Sequence, residues 1–193
     1  MDKPDFHFPP SLRRLKRGGP AVTIPKDAGM VIAYTGLGRE SRVIELGSGT
    51  GFMTVTLAGI AKEVKSYEKR KEFLDLAESN VRRAELNNVT FRLHDVLHGI
   101  EEKDGSWDLV FCDIPDAEKV AGYAHEALKR GGYLAGHCLH SEQAKALHLE
   151  AAKYFSEVFT MEAIVREYEA REQGFRPKHF GLMHTAYLVF ARK

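Results

Sequence analysis

One stretch constrains this chain more than any other: Val43-Ile44-Glu45-Leu46-Gly47-Ser48-Gly49-Thr50-Gly51. An apolar run that ends in three alternating glycines reads as a buried strand turning sharply into a helix. Three acidic residues follow, each closing a short strand-like run: Glu68 after Ser66-Tyr67, Asp95 after Leu93-His94, and Asp113 ahead of Ile114-Pro115-Asp116. If these runs are parallel strands of one sheet, all four features share its carboxyl edge, where open α/β sheets bind ligands. The pattern asks for a nucleotide-like ligand over the glycine turn, with a second ligand beside it.

The rest of the chain supports that sheet. Strand-like runs at Arg42–Leu46, Glu63–Tyr67, Val89–Leu93, Trp107–Cys112 and Tyr133–Cys138 alternate with helical stretches. The expected helices are Ala28–Leu37 led in by Pro25, one starting at Phe52, then Lys71–Leu86, Glu118–Lys129 and Ser141–Phe155. In Lys71–Leu86, Phe73, Leu74, Ala77, Val81 and Ala84 fall on one face, which is the amphipathic period. Such alternation implies right-handed βαβ units and a parallel sheet. The end of the chain departs from it: Met161–Tyr168 and Ala186–Ala191 read as strands with no helix between, so they pair most easily as antiparallel neighbours. The expectation is an α/β sheet of seven strands, mostly parallel, with its last strand antiparallel. Residues 1–20, punctuated by Pro and Gly, read as an irregular basic segment, and 21–193 as one domain.

Composition narrows the function classes. A formal net charge of +1 gives no overall attraction to nucleic acid, so any basic surface is local. Arg13-Arg14-Leu15-Lys16-Arg17, with Arg171, Arg176, Lys178 and His179, is the candidate phosphate-tracking set. No apolar run reaches membrane-spanning length and no apolar leader stands at the N-terminus, so the expectation is a cytoplasmic protein without membrane contact. Three Asn and two Gln in 193 residues fit a thermophilic source. Cys112 and Cys138 lie in apolar strand runs and read as buried thiols. A thiolate nucleophile at Cys112 is disfavoured on that ground. His137-Cys138-x-His140 stands at another strand end, where it could line an acceptor pocket; it lacks a second ligand cluster, so no metal is expected. Phe52, Tyr123 and His140 are candidates to stack on a base.

Each motif has its own chemistry. The glycine turn lets backbone approach a ligand, and Glu68, placed at the end of the second strand, can accept both hydroxyls of a ribose. Asp95 can accept from an adenine amino group. In Asp113-Ile114-Pro115-Asp116, Pro115 stiffens the turn and leaves a carboxylate and carbonyls as acceptors. Acceptors there stabilise the positive charge that builds when a base nitrogen is alkylated. A structural turn, with Asp116 capping the next helix, is the plainer alternative.

Together the glycine loop, strand-end acids and terminal antiparallel strands resemble the Rossmann-like class I S-adenosylmethionine-dependent methyltransferases. Within them, Ile24-Pro25-Lys26-Asp27, Tyr67-Glu68, Asp113-Ile114-Pro115-Asp116, Arg176-Pro177-Lys178-His179 and His184-Thr185-Ala186-Tyr187-Leu188-Val189-Phe190-Ala191-Arg192 resemble the tRNA adenine-N1 methyltransferases. The resemblance implies S-adenosylmethionine as cofactor, held by Glu45, Gly47, Ser48, Gly49, Thr50, Gly51, Glu68, Lys69, Asp95, Val96 and Asp113. It implies catalysis by Asp113 with Ile114, Pro115 and Asp116, and an RNA acceptor, tRNA or rRNA, contacted by Lys26, His140, Arg176, Lys178, His179 and His184. The family usually carries an N-terminal β domain, which residues 1–20 are too short to supply. It also usually continues its Asp-x-Pro-Asp with Pro-Trp, where this chain has Ala117-Glu118. An exocyclic amine such as cytidine N4 therefore stays open beside ring N1. A small-molecule methyltransferase of the cobalamin pathway and a non-catalytic RNA-binding subunit are rival readings, and a homo-oligomer is open.

Overall fold

The computed structural model describes residues 7–19, 21–179 and 184–193. Among these described residues two sheets are formed. The larger has seven strands in the order β3-β2-β1-β4-β5-β9-β6, where β1 is Arg42–Leu46, β2 Glu63–Glu68, β3 Val89–Leu93, β4 Trp107–Cys112, β5 Leu128–Cys138, β6 Glu157–Met161 and β9 Tyr187–Arg192. Strands β1 to β5 pair in parallel, and β9 runs antiparallel between β5 and β6. The helices are α1 (Pro10–Arg13), α2 (Pro25–Thr35), α3 (Phe52–Ala58), α4 (Lys71–Arg83), α5 (Ala121–Ala127) and α6 (Ser141–Ala151).

The strands form where apolar residues can be buried on both faces. In β1, Val43, Ile44, Glu45 and Leu46 are all buried, as expected of a central parallel strand. Val43 joins a core with Val31, Met53, Leu57 and Phe190, while Ile44 and Leu46 face a second core with Val110, Leu134 and Leu147. Each such aliphatic residue contributes roughly 1.5–3 kcal/mol on burial. Register then fixes the site: Leu46 lies opposite Tyr67 on one side and Cys112 on the other, and Glu68 lies opposite Leu93. The tips of β1, β2, β3 and β4 are therefore level. The strand order reverses between β1 and β4, which opens a crevice there.

Several expectations need correction. The strand placed at Met161–Tyr168 is β6, Glu157–Met161, and Tyr168 instead begins a separate two-stranded hairpin of β7 (Tyr168–Arg171) and β8 (Gly174–Pro177). Helix α5 stops at Ala127, because Leu128 and Lys129 already belong to β5, whose pairing with β4 shifts register between Trp107 and Leu109. Helix α6 ends at Ala151 and α4 at Arg83, short of the expected Phe155 and Leu86. The segment expected to be irregular contains α1 and is docked: Phe8, Leu12 and Leu15 are buried against Phe52, Val55 and Val81.

Candidate active site

A cavity of about 640 Å³ opens at the carboxyl edge of the sheet. That is within the usual range for a small-molecule site. Its wall takes Gly47, Ser48, Gly49 and Thr50 from the turn after β1, Glu68 at the end of β2 with Lys69 and Arg70 after it, and His94, Asp95 and Val96 after β3. From the other side come Asp113 to Asp116, His137, His184 and Thr185.

The glycine turn is fixed by its neighbours. Gly47 and Ser48 donate their N–H groups to the Tyr67 carbonyl at 2.9 and 3.0 Å. Gly47 has φ +94°, and a Cβ there would lie 2.5 Å from the Asp113 carbonyl oxygen and 2.9 Å from Ile114 Cγ2. Only glycine permits that conformation and that approach. The turn and the Asp113 loop are thus packed together, and the Asp113 N–H donates to the Leu46 carbonyl at 2.9 Å. At Gly49 a Cβ would meet nothing within 4 Å, so this part of the turn faces open space.

Beyond the turn, Glu68 is buried and accepts at 3.0–3.1 Å from the N–H groups of Gly49, Lys69 and Arg70 and from Arg70 Nε. Asp95 accepts from the Leu97 N–H at 3.1 Å, which holds its carboxyl below the usual range, and Lys69 Nζ lies 3.7 Å away. Both carboxylates line the cavity. They suit hydroxyl and amino donors of a bound nucleoside. Ser48 Oγ lies in the cavity wall, buried and with no hydrogen-bond partner among the described residues. Volume, open face and acceptor set together fit S-adenosylmethionine.

On the opposite wall the Asp113 side chain is 36% exposed, with His137 Nδ1 at 3.4 Å and 8% exposed. The contact is within ion-pair range, but it is not aligned as a hydrogen bond, so His137 Nδ1 has no such partner. Burial opposes charging of the imidazole, yet Asp113 outweighs it and raises its pKa above the ordinary value. Gln143 on α6 donates to the carbonyls of Ile114 (2.8 Å) and Pro115 (3.2 Å) and accepts from the Leu139 N–H (2.9 Å). It clamps the Asp113 loop to the turn after β5. The Ile114 carbonyl, expected to face an acceptor amine, is engaged by this clamp. Asp116 makes no side-chain cap and pairs instead with Lys119 at 2.8 Å.

Other expected residues lie elsewhere. Glu45 does not line the cavity: it is 0% exposed and accepts from Thr54 Oγ1 (2.6 Å) and Ser66 Oγ (2.5 Å) beneath the turn. Burial raises its carboxyl to about 7 against those two hydrogen bonds, so near neutrality much of it is protonated. Gly51 serves packing, since a Cβ there would lie 2.9 Å from Ala77 Cα. Lys26 also stays off the wall and pairs with Asp27, whose other oxygen accepts from Thr185 Oγ1 at 2.6 Å. His140 is exposed and precedes α6. On the hairpin, Arg171 and Arg176 pair with Glu169, and Lys178 with Glu167. His179 is exposed beyond it. His184 does line the cavity, held by Glu162 at 2.7 Å and the Leu139 carbonyl at 3.1 Å.

Among the stacking candidates, Phe52 lines the cavity but packs on Phe8, and Tyr123 packs on the core. Cys112 is wholly buried, and burial pushes its thiol far up, so it offers no thiolate. Among the described residues no group of three His, Cys, Asp or Glu side chains is arranged to hold a metal, and no helix is long and apolar enough to cross a membrane.

A family model described as a methyltransferase domain matches residues 37–177. The tRNA (adenine(57)-N(1)/adenine(58)-N(1))-methyltransferase TrmI of Methanocaldococcus jannaschii is 32% identical over 213 residues, covering 94% of this chain and 74% of its own. The chain is a class I S-adenosylmethionine-dependent methyltransferase. Two solved structures match this methyltransferase with TM-scores of 0.88. One is a SAM-dependent O-methyltransferase of Thermotoga maritima, 31% identical, covering 96% of this chain and 71% of that one. The other is the tRNA (m1A58) methyltransferase TrmI of Aquifex aeolicus, 27% identical, covering 98% and 76%. The names of these relatives differ in acceptor atom, oxygen in one and a ring nitrogen in the others.

His137, expected with His140 as a lining residue of the acceptor pocket, does line the cavity, whereas Gln143 and Asn80, which support it from outside the wall, carried no signal in the sequence. Asn80 is a buried amide on α4 whose bonds cross between segments far apart in the chain.

Proposed function

We propose that this methyltransferase transfers a methyl group to ring N1 of adenine in tRNA, with Asp113 as the group that faces the acceptor base. The observation that carries this reading is the partly exposed Asp113 carboxylate, on a loop whose backbone packs against the glycine turn. A carboxylate there suits a nitrogen acceptor, which becomes cationic as it gains a methyl group, better than an oxygen acceptor that starts as an anion. The naming of the relative from Methanocaldococcus jannaschii points the same way.

S-adenosylmethionine supplies an electrophilic methyl on a sulfonium. The chain holds and screens the reactants. Glu68 and Asp95 fix the nucleoside end, the glycine turn leaves room for the amino-acid end, and the level strand tips bring Asp113 beside it. An adenine stacked in a helix cannot reach such a cavity, so the base must be unstacked or already single-stranded. Asp113 then balances the positive charge that spreads over N1 and the 6-amino group. Groups preorganised for such charge contribute roughly 10²–10³ in turnover. Gln143 keeps the Asp113 loop in place, which matters because near-attack geometry is sensitive to about 1 Å.

The test is methylation of unmodified tRNA transcripts followed by nucleoside mass spectrometry. The expected product is 1-methyladenosine. N6-methyladenosine or N4-methylcytidine in its place would overturn the ring-nitrogen assignment. Methylated protein carboxylates with untouched RNA would overturn the RNA acceptor.

A further inference from the structure

The segment leading into α2 does more than cover α3 and α4. Phe8, Leu12 and Leu15 anchor it, and Asn80 fixes its position next to the glycine turn. Asn80 Oδ1 accepts from the Lys16 N–H at 2.9 Å, while Nδ2 donates to the carbonyls of Lys16 and Thr50, both at 2.8 Å. One buried amide therefore joins the strap to the turn that receives the cofactor. At Gly18, φ is +63°, and a Cβ would lie 2.2 Å from Leu76 Cδ2 and 3.5 Å from Thr50 Cγ2. The chain is pressed onto α4 and the turn at this point. Arg17 stands between these two fixed residues. It lines the cavity beside Thr50 and Phe52, with its guanidinium carbon 5.1 Å from the Phe8 ring centroid.

The charges around the cavity show what Arg17 can bind. Asp27, Glu68, Asp95 and Asp113 all line it. An anionic ligand group meets repulsion from them unless a cation faces it. At the nucleoside end Lys69 and Arg70 stand against Asp95 and Glu68 at 3.7 and 3.1 Å. At the acceptor end His137 and His184 stand against Asp113 and Glu162. The glycine-turn end has Arg17. The amino-acid part of S-adenosylmethionine carries a carboxylate, and a guanidinium matches a carboxylate with two parallel hydrogen bonds.

We propose that Arg17 is the carboxylate-binding residue of the cofactor site, delivered by the N-terminal strap and held in position by Asn80. The cluster Arg13 to Arg17 is thereby divided in its roles. Arg13 Nε donates to the Phe8 carbonyl at 2.6 Å and Arg14 lies 3.6 Å from Glu85, while Arg17 serves the cofactor.

Calorimetry with two ligands tests this without turnover. S-adenosylhomocysteine carries the amino-acid group, and 5′-methylthioadenosine has the same nucleoside and thioether without it. Arg17→Gln is expected to weaken S-adenosylhomocysteine roughly 10–100-fold, the range for a lost charge-assisted hydrogen-bonded pair, and to leave methylthioadenosine within about twofold. The variant should also lose much of the salt dependence of S-adenosylhomocysteine binding. Arg17→Lys should recover part of the affinity. Methylthioadenosine also controls for the loss of the Arg17 contact with the Phe8 ring, which would weaken both ligands alike. Unchanged S-adenosylhomocysteine affinity, or an equal loss for both ligands, would overturn the assignment. Asn80→Asp, which removes both amide donations, should weaken S-adenosylhomocysteine selectively and by less; no change there would overturn its positioning role.

Discussion

At the proposed nucleoside end of the cavity Glu68 already accepts four N–H bonds and Asp95 is held by the Leu97 N–H. At the acceptor end Asp113 is partly exposed, and the nearest nitrogen of His137 has no aligned hydrogen bond. The first end is rigid before any ligand arrives, so binding there costs little reorganisation. The second end keeps polar groups whose pairing is left to the acceptor. The contrast suits the proposed reaction, in which one invariant cofactor meets a base drawn out of a much larger molecule.

Removing the acceptor-end carboxylate should break the comparison most severely. Asp113→Ala is expected to lower kcat/KM on tRNA by about 10³, at the upper end for a preorganised charge-stabilising group. Affinity for S-adenosylhomocysteine, measured by calorimetry, should stay within a few-fold. Near-normal methylation by this variant would place the acceptor site elsewhere.

The floor under the glycine turn gives the next largest effect. Glu45 has its folded-state pKa raised from 4.5 to about 7, so the folded chain holds a proton that the unfolded chain releases between those values. Stability should therefore fall as pH rises from about 4.5 to 7, by up to roughly 3 kcal/mol. Glu45→Gln should flatten that slope and raise the melting temperature at pH 8. If denaturant unfolding of the parent and the variant shows the same pH dependence, Glu45 does not hold this proton.

A smaller loss is expected at the rigid end itself. Glu68→Gln keeps the shape but weakens acceptance from ribose hydroxyls, and should reduce S-adenosylhomocysteine affinity about 10–100-fold. At saturating cofactor its turnover should stay within several-fold of the parent. A fall in turnover as large as that of Asp113→Ala would erase the division between the two ends.

The smallest effect sharpens the acceptor end. A protonated His137 offsets the Asp113 charge, so turnover should decline as pH falls through the raised imidazole pKa. His137→Asn should remove that inflection from the pH–rate profile while changing the plateau only a few-fold. An unchanged profile would show that another group titrates.

Much of the proposed cofactor half was legible because it is local. The glycines, Glu68 and Asp95 each sit at the end of a strand-like run, and the bounds of β1, β3 and β4 follow from such runs alone. The C-terminal hairpin was not, since Tyr168–Arg171 and Gly174–Pro177 are mostly exposed and show no buried face to set a period. Nor was β6, an edge strand with only partial burial. The docking of the strap did leave a signal in the spacing of Phe8, Leu12 and Leu15, four and three residues apart. Glu45 was placed on the ligand because its position in the motif says nothing of which way the strand faces; the register turns it onto Thr54 and Ser66. Asn80 gains its meaning from backbone partners 30 and 64 residues away, Gln143 from carbonyls 28 and 29 residues away, and the approach of His137 to Asp113 from the β4–β5 pairing.

A crystal structure of the chain with S-adenosylhomocysteine bound would show both ends of the cavity at once. The predicted density places the nucleoside on Glu68 and Asp95, the amino-acid group over Gly47 to Thr50, and the sulfur open toward the Asp113 carboxylate. Density with the sulfur turned away from Asp113, or ligand bound outside this crevice, would contradict the account.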